Sequence, residues 1–195
     1  MSHSSTVDLL VLHALRLKGF ADSDAVARRF GLDPEAAHED LLDAQARGLV
    51  SRYAFADLSG WSLTEAGRRH NELQLRTELD RAAARDEVSA VHAAFLPLNA
   101  EAVQALTAWQ LQPTPGPSSR ECLRRLGDVA RELDGLERRL TARLPRFAGY
   151  HGRLAHALSR SGADPAWITS PELDSCHTVW FELHEDLTAT LGIPR

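Results

Sequence analysis

The stretch from Asp22 to Arg69 constrains this chain more than any other. It reads DSDAVARRFGLDPEAAHEDLLDAQARGLVSRYAFADLSGWSLTEAGRR, and its start and stop signals fall in the order helix, turn, helix, strand, turn, strand, helix. Asp22 or Ser23 caps a short helix through Phe30, with Ala25, Val26 and Phe30 at helical spacing, and Gly31 ends it. Asp33 and Pro34 form a second start signal: the carboxylate accepts first-turn amides, and proline there sacrifices no needed donor. The helix they open turns Ala37, Leu41, Ala44 and Leu49 inward and stops at Gly48. Val50 to Phe55 and Trp61 to Leu63 read as strands joined through Asp57 to Gly60, Trp61 packs beneath them, and Thr64 caps the next helix. Ahead of this stretch, Val7 to Leu17 reads as a first helix, with His13 among its leucines and Phe20 plugging the core at its exit.

This order resembles the winged helix-turn-helix of the MarR and PadR families of bacterial transcription regulators, over roughly Val7 to His70. Two motifs carry the resemblance: RGLVSR, the passage from recognition helix into wing, and WSLTEAGRR, which matches the wing exit LTxxGR. The expected fold is mainly α, with an N-terminal winged helix-turn-helix (residues 1–70, three helices plus a two- or three-stranded wing) and an all-helical domain over 71–195. The resemblance implies a homodimer on double-stranded DNA, with the helical part dimerising and sensing a small-molecule effector. Arg28 and Arg29 are then placed for phosphates, His38 for the groove, and Arg52, Tyr53, Arg68 and Arg69 for backbone or minor groove. Segments of this kind also look like ones appended to larger actinobacterial enzymes, which implies the alternative of a protein-interaction or regulatory module that does not bind DNA.

Charge separates the two readings. The chain is at −5, and residues 1–70 hold eight Lys and Arg against ten Asp and Glu, a net of −2. Nonspecific DNA affinity comes from cations displacing counterions from phosphates, so a basic stripe is expected of a reading head. The outward positions of the second start-signal helix are instead Glu35, Ala36, His38, Glu39, Leu42 and Asp43, where the resembled families carry donors to phosphates and base edges.

Beyond the wing, the pattern predicts a helix from Glu65 to about Phe95, with Leu73, Leu79, Ala83, Val88, Val91 and Phe95 inward, suited to a dimer stem. Pro97 is expected to interrupt it, with Asn99 capping the next helix, which runs through Leu111 and carries Trp109 on one side. QPTPGPSS, residues 112–119, reads as a loop. Helices are then predicted from Arg120 to Leu144, from Arg146 to Arg160 and from Pro171 to Leu191. On the last, His177, Phe181 and His184 share a stripe with Trp180 and Leu187 beside it, while Glu182, Glu185 and Asp186 are expected toward solvent. That stripe with Trp109 is the candidate effector pocket, and packed core is its competing reading.

Other classes find little support. Histidines seven apart lie roughly 10.5 Å apart along a helix, too far to share one ion, so no metal or other cofactor is expected. There is no glycine-rich phosphate loop, GxSxG or CxxC, so no catalytic residues are assigned and the chain reads as a non-enzyme. Cys122 and Cys176 offer no disulfide framework. No long apolar run or basic leader is present, so no membrane partner is expected and the reading is cytoplasmic.

Overall fold

A computed structural model describes residues 5–55, 58–111 and 117–194. The described chain is mainly helical, with one small antiparallel hairpin. Helices α1 (Val7–Lys18), α2 (Ser23–Phe30) and α3 (Pro34–Ala46) precede strands β1 (Val50–Phe55) and β2 (Leu58–Leu63), then α4 (Glu65–Arg81). There follow α5 (Arg85–Gln110), α6 (Pro117–Thr141), a 3-10 turn at Pro145–Phe147, α7 (Tyr150–Arg160), α8 (Ala166–Thr169) and α9 (Cys176–Leu191). The chain divides into two compact units, residues 1–83 with 188–195, and residues 84–187. No helix among the described residues is long and apolar enough to cross a membrane.

In the first unit each helix start is the one the sequence signals. Asp22 accepts from Ala25 N and Asp33 from Ala36 N, and Pro34 opens α3. Three helices and the hairpin close on one core of Leu12, Leu15, Val26, Ala37, Leu41, Val50 and Trp61. The hairpin is longer than its sequence pattern, because Leu58 to Gly60 join the ladder and Gly60 pairs with Tyr53. The expected turn residue Asp57 lies outside the described residues. Ala21 forms a bridge to Trp61 on the other side of β2, with Ala21 N donating to Trp61 O at 3.1 Å and Trp61 N to Ala21 O at 2.8 Å. This close approach explains Gly60: a Cβ there would sit 2.6 Å from Phe20 Cζ and 2.8 Å from Ala21 O. Phe20 therefore lies over the hairpin at 43% exposure and does not plug the core.

The segment WSLTEAGRR has a mechanical explanation. The Thr64 hydroxyl accepts from Gly67 N at 3.0 Å and donates to the carbonyl of Gly48 at 2.7 Å, so one side chain caps α4 and holds the end of α3. Thr64 N donates to Leu49 O at 3.0 Å, and a Cβ on Gly67 would stand 1.9 Å from that same oxygen.

Five boundaries differ from expectation. The helix from Glu65 breaks at Ala83, which sits at φ +46, so α4 and α5 are separate. No Gly or Pro marks the break, and Leu73, expected inward, is 58% exposed. Pro97 conversely stays inside α5. Its lost hydrogen bond is offset by buried Phe95, Ala102, Ala105 and Leu106, and Asn99 accepts from Trp180 Nε1 instead of capping a helix. The SPE signal at Ser170 closes a turn, with Glu172 N donating to Ser170 Oγ, and α9 starts at Cys176, where Ser175 Oγ accepts from Thr178 N. Nearby, the predicted helix from Arg146 begins at Tyr150, because Glu137 accepts from the amides of Gly149 and His151 and fixes the entry. Residues 117–119, expected in a loop, open α6.

Substituting Gly67→Ala forces the Leu49 carbonyl aside and should cost about 2–3 kcal/mol. Gly135→Ala in α6, where an added Cβ meets nothing within 4 Å, should be neutral or stabilising by about 0.5–1 kcal/mol. Urea unfolding followed by circular dichroism separates the two signs.

Candidate functional site

The outward surface of α3 is built by the same positions that bury its inner face. With Ala37, Leu41 and Ala44 in the core, Glu35, Ala36, Glu39, Leu42 and Asp43 are exposed, while His38 and Asp40 are half-buried. No Lys or Arg lies between Pro34 and Ala46, so the exposed charge on this helix is entirely carboxylate. The Asp40 carboxyl is held above the usual range, first by partial burial and then by the charges of Asp8 and Asp43.

His38 is tied inward. Trp61 Nε1 only donates, and its partner is Ser23 Oγ at 3.1 Å. The Ser23 hydroxyl also hydrogen-bonds with His38 Nδ1 at 3.0 Å. The His38 ring also meets Trp61 edge-on at 6.2 Å. This chain links α3, the start of α2 and the hairpin, and gives His38 an orienting role in place of free groove contact.

The candidate DNA cations separate. Arg28 and Arg68 are exposed, as are Arg52, whose guanidinium lies 5.5 Å from the Trp61 ring centroid, and Tyr53 at 57%. Arg69 pairs with Glu65 at 3.1 Å, an exposed i,i+4 contact worth roughly 0.3–0.5 kcal/mol, so it stays available. Arg29 does not: it is 8% exposed, its guanidinium 4.5 Å from the Phe30 ring, so the phosphate role expected for it is withdrawn.

The residues proposed for an effector pocket also divide. Trp180 is buried, stacks on Phe95 at 4.9 Å and donates to Asn99 at 2.9 Å; His184 tilts against the same Phe95 ring at 5.5 Å. His177 and Phe181 stack on each other at 6.5 Å on the outside, Phe181 at 50% exposure. Trp109 stands ten residues along α5 from Asn99, about 15 Å, so it does not join this group. Core packing accounts for Trp180 and His184, and the five residues do not line one cavity.

The three carboxylates expected in solvent are inside: Glu182 at 1%, Glu185 at 4% and Asp186 at 0%. Arg146, itself 5% exposed, pairs with Asp186 Oδ1, and the Tyr150 hydroxyl donates to Asp186 Oδ2 at 2.8 Å. Arg153 grips Asp174 through Nε and Nη2, both at 2.9 Å, and pairs with Glu182 at 2.7 Å. Burial works against the Arg153 cation, yet the Asp174 hydrogen bond and the Glu182 charge outweigh it and raise its pKa above the ordinary value. Burial likewise pushes the Cys176 thiol up to about 12, leaving it an inert thiol near neutrality. The sequence holds one signal for this network: α9 carries three acids and no Lys or Arg, so their partners had to come from elsewhere. Among the described residues, no group of three or more His, Cys, Asp or Glu is placed to hold a metal ion.

The raised Asp40 pKa gives a signed pH prediction. Ionising this group costs the folded state more than the unfolded one, so Asp40→Asn should stabilise the protein at neutral pH. The gain should vanish as pH falls below the ordinary carboxyl range, where both states are protonated; thermal melts of the two proteins from pH 3 to 7 read it directly. Comparison with family models, curated proteins and solved structures finds no match for this chain.

Proposed function

We propose that the first unit is a winged-helix interaction module that docks a basic protein partner on α3, and that it has given up reading DNA with that helix. The observation that carries the reading is the outward face of α3, where Glu35, Glu39 and Asp43 are exposed and no cation lies on the helix. A carboxylate about 7 Å from a phosphate is repelled by roughly 0.6 kcal/mol even at the dielectric of water. Three of them give roughly 2 kcal/mol against groove insertion, a factor of about 30 in affinity. The same charges favour an Arg- or Lys-rich partner and speed its encounter.

A second reading keeps the regulator: a homodimeric, cytoplasmic DNA-binding protein of MarR or PadR type with an effector-sensing helical part. The exposed set of Arg28, Arg52, Tyr53, Arg68 and Arg69 favours it, because such groups at helix ends and on a wing hold phosphates without help from α3.

Fluorescence anisotropy at low ionic strength distinguishes them. The module reading predicts that a labelled arginine-rich peptide binds, that added salt weakens it, and that Glu39→Gln with Asp43→Asn reduces affinity about tenfold, while random duplex DNA gives no titration. Salt-dependent binding of the duplex, lost in Arg52→Ala with Arg68→Ala, selects the regulator instead. Binding of neither probe removes the module reading.

A further inference from the structure

One side of α4 carries His70, Leu73, Gln74, Thr77, Glu78 and Arg81 over roughly 16 Å, and the first turn of α1 faces it across a cleft of about 410 Å³. The cleft lies within the first unit, and its volume falls in the range of small-molecule sites, roughly 300–1,000 Å³. Its two walls differ in chemistry. On the α1 side the Asp8 carboxylate is consumed: Oδ1 accepts from Leu9 N at 2.8 Å and from the Thr6 hydroxyl at 2.6 Å, and Oδ2 accepts from Gln74 Nε2 at 2.9 Å. Asp8 thus already holds a first-turn amide of α1, the kind of group that would otherwise draw an anion into the cleft. On the α4 side three acceptors follow within little more than one turn. A carboxylate can only accept, so Gln74 turns its amide nitrogen to Asp8, and its Oε1 is left shielded from solvent with no donor against it among the described residues. The Thr77 hydroxyl donates to its own helix at Leu73 O, 2.8 Å away, which leaves its oxygen to accept. Glu78, 8% exposed, accepts from Ser5 Oγ through Oε1 and brings a negative charge. Two carboxylates against one guanidinium, that of Arg81, leave the lining negative, and Leu73, 58% exposed, supplies an apolar wall.

We propose that this cleft binds a small primary amine carried on an apolar body, with the ammonium on Gln74, Thr77 and Glu78 and the body along Leu73. An ammonium has three donors and accepts nothing, and residues at i, i+3 and i+4 of a helix set three acceptors on one side. Hydrogen bonds from a cation to a carboxylate are roughly twice as strong as neutral ones, so Glu78 supplies most of the discrimination. An alcohol of the same shape brings one donor and no charge, and a carboxylate is repelled by Asp8 and Glu78. None of the lining residues belongs to α3 or to the α9 stripe, so this site stands or falls apart from both.

Phenethylamine titrated into the isotope-labelled full chain, followed by amide chemical shifts, tests it. Saturable shifts at Leu9, Leu73, Gln74 and Thr77 are expected, with a dissociation constant about tenfold or more below that of phenethyl alcohol, and no saturation by phenylacetate. Glu78→Gln should weaken the amine about tenfold. Thr77→Lys puts a tethered ammonium into the cleft at a half-buried position whose hydroxyl bonds its own helix, and it should abolish binding with unchanged circular dichroism, which keeps the test decisive if Glu78→Gln fails to fold. The absence of saturable shifts with phenethylamine overturns the proposal. So does equal binding of the alcohol or of phenylacetate, or an amine titration unchanged in either folded variant.

Discussion

The contact of Gly67 with the Leu49 carbonyl governs the N-terminal unit. Leu49 is the last of the three residues between the end of α3 and the start of β1, and Gly67 is in the first turn of α4. Any side chain at Gly67 forces those segments apart, and Thr64 completes the junction by bonding both to Gly67 N and to the Gly48 carbonyl. The axial position of α3 and the path of the hairpin are thus set by one point. A second tie, from Trp61 through Ser23 to His38, fixes the rotation of α3 from its other side. With both in place, which α3 side chains face outward is a matter of geometry, and those side chains are Glu35, Glu39 and Asp43.

Helices α3 and α9 handle acidic residues in opposite ways. On α3, Glu35, Glu39 and Asp43 are left in solvent without a cation on the same helix, while Asp40 is half-buried and its carboxyl is raised first by that burial and then by the charges of Asp8 and Asp43. On α9 they are drawn inside and matched: Asp186 by Arg146 and Tyr150, Glu182 by Arg153. A buried pair of this kind adds little net stability over an apolar substitute, but losing one partner leaves an uncompensated charge at a cost of about 3–5 kcal/mol. The network therefore fixes where α9 lies against α7 and the 3-10 turn more than it strengthens the packing.

Legibility in the sequence followed the range of the interactions. The starts of α2, α3 and α4 were readable because Asp22, Asp33 with Pro34, and Thr64 act on amides two or three residues away. The break at Ala83 and the continuity through Pro97 were not, since no Gly or Pro marks the first and the second keeps a proline inside a helix against its local preference. On α3 the buried Ala37, Leu41 and Ala44 and the exposed Glu35, Glu39 and Asp43 were readable from a simple helical period, while His38, expected outward, is half-buried on Ser23. On α9 the same reasoning failed: Trp180, Leu183 and Leu187 are interleaved with Glu182, Glu185 and Asp186 and all six are buried, while His177 and Phe181 of the stripe are exposed. Only the arginines from the 3-10 turn and α7 decide that, and no spacing rule connects them to α9.

The central claim is that α3 presents a negative surface held rigid by the junction beneath it. Near-surface potentials measured residue by residue, from proton relaxation by a cationic and by an anionic nitroxide of the same size, test it most directly. The account predicts stronger relaxation by the cationic probe at Ala36, Glu39 and Asp43, fading as salt is added. Equal relaxation by the two probes, or stronger relaxation by the anionic one along α3, contradicts it.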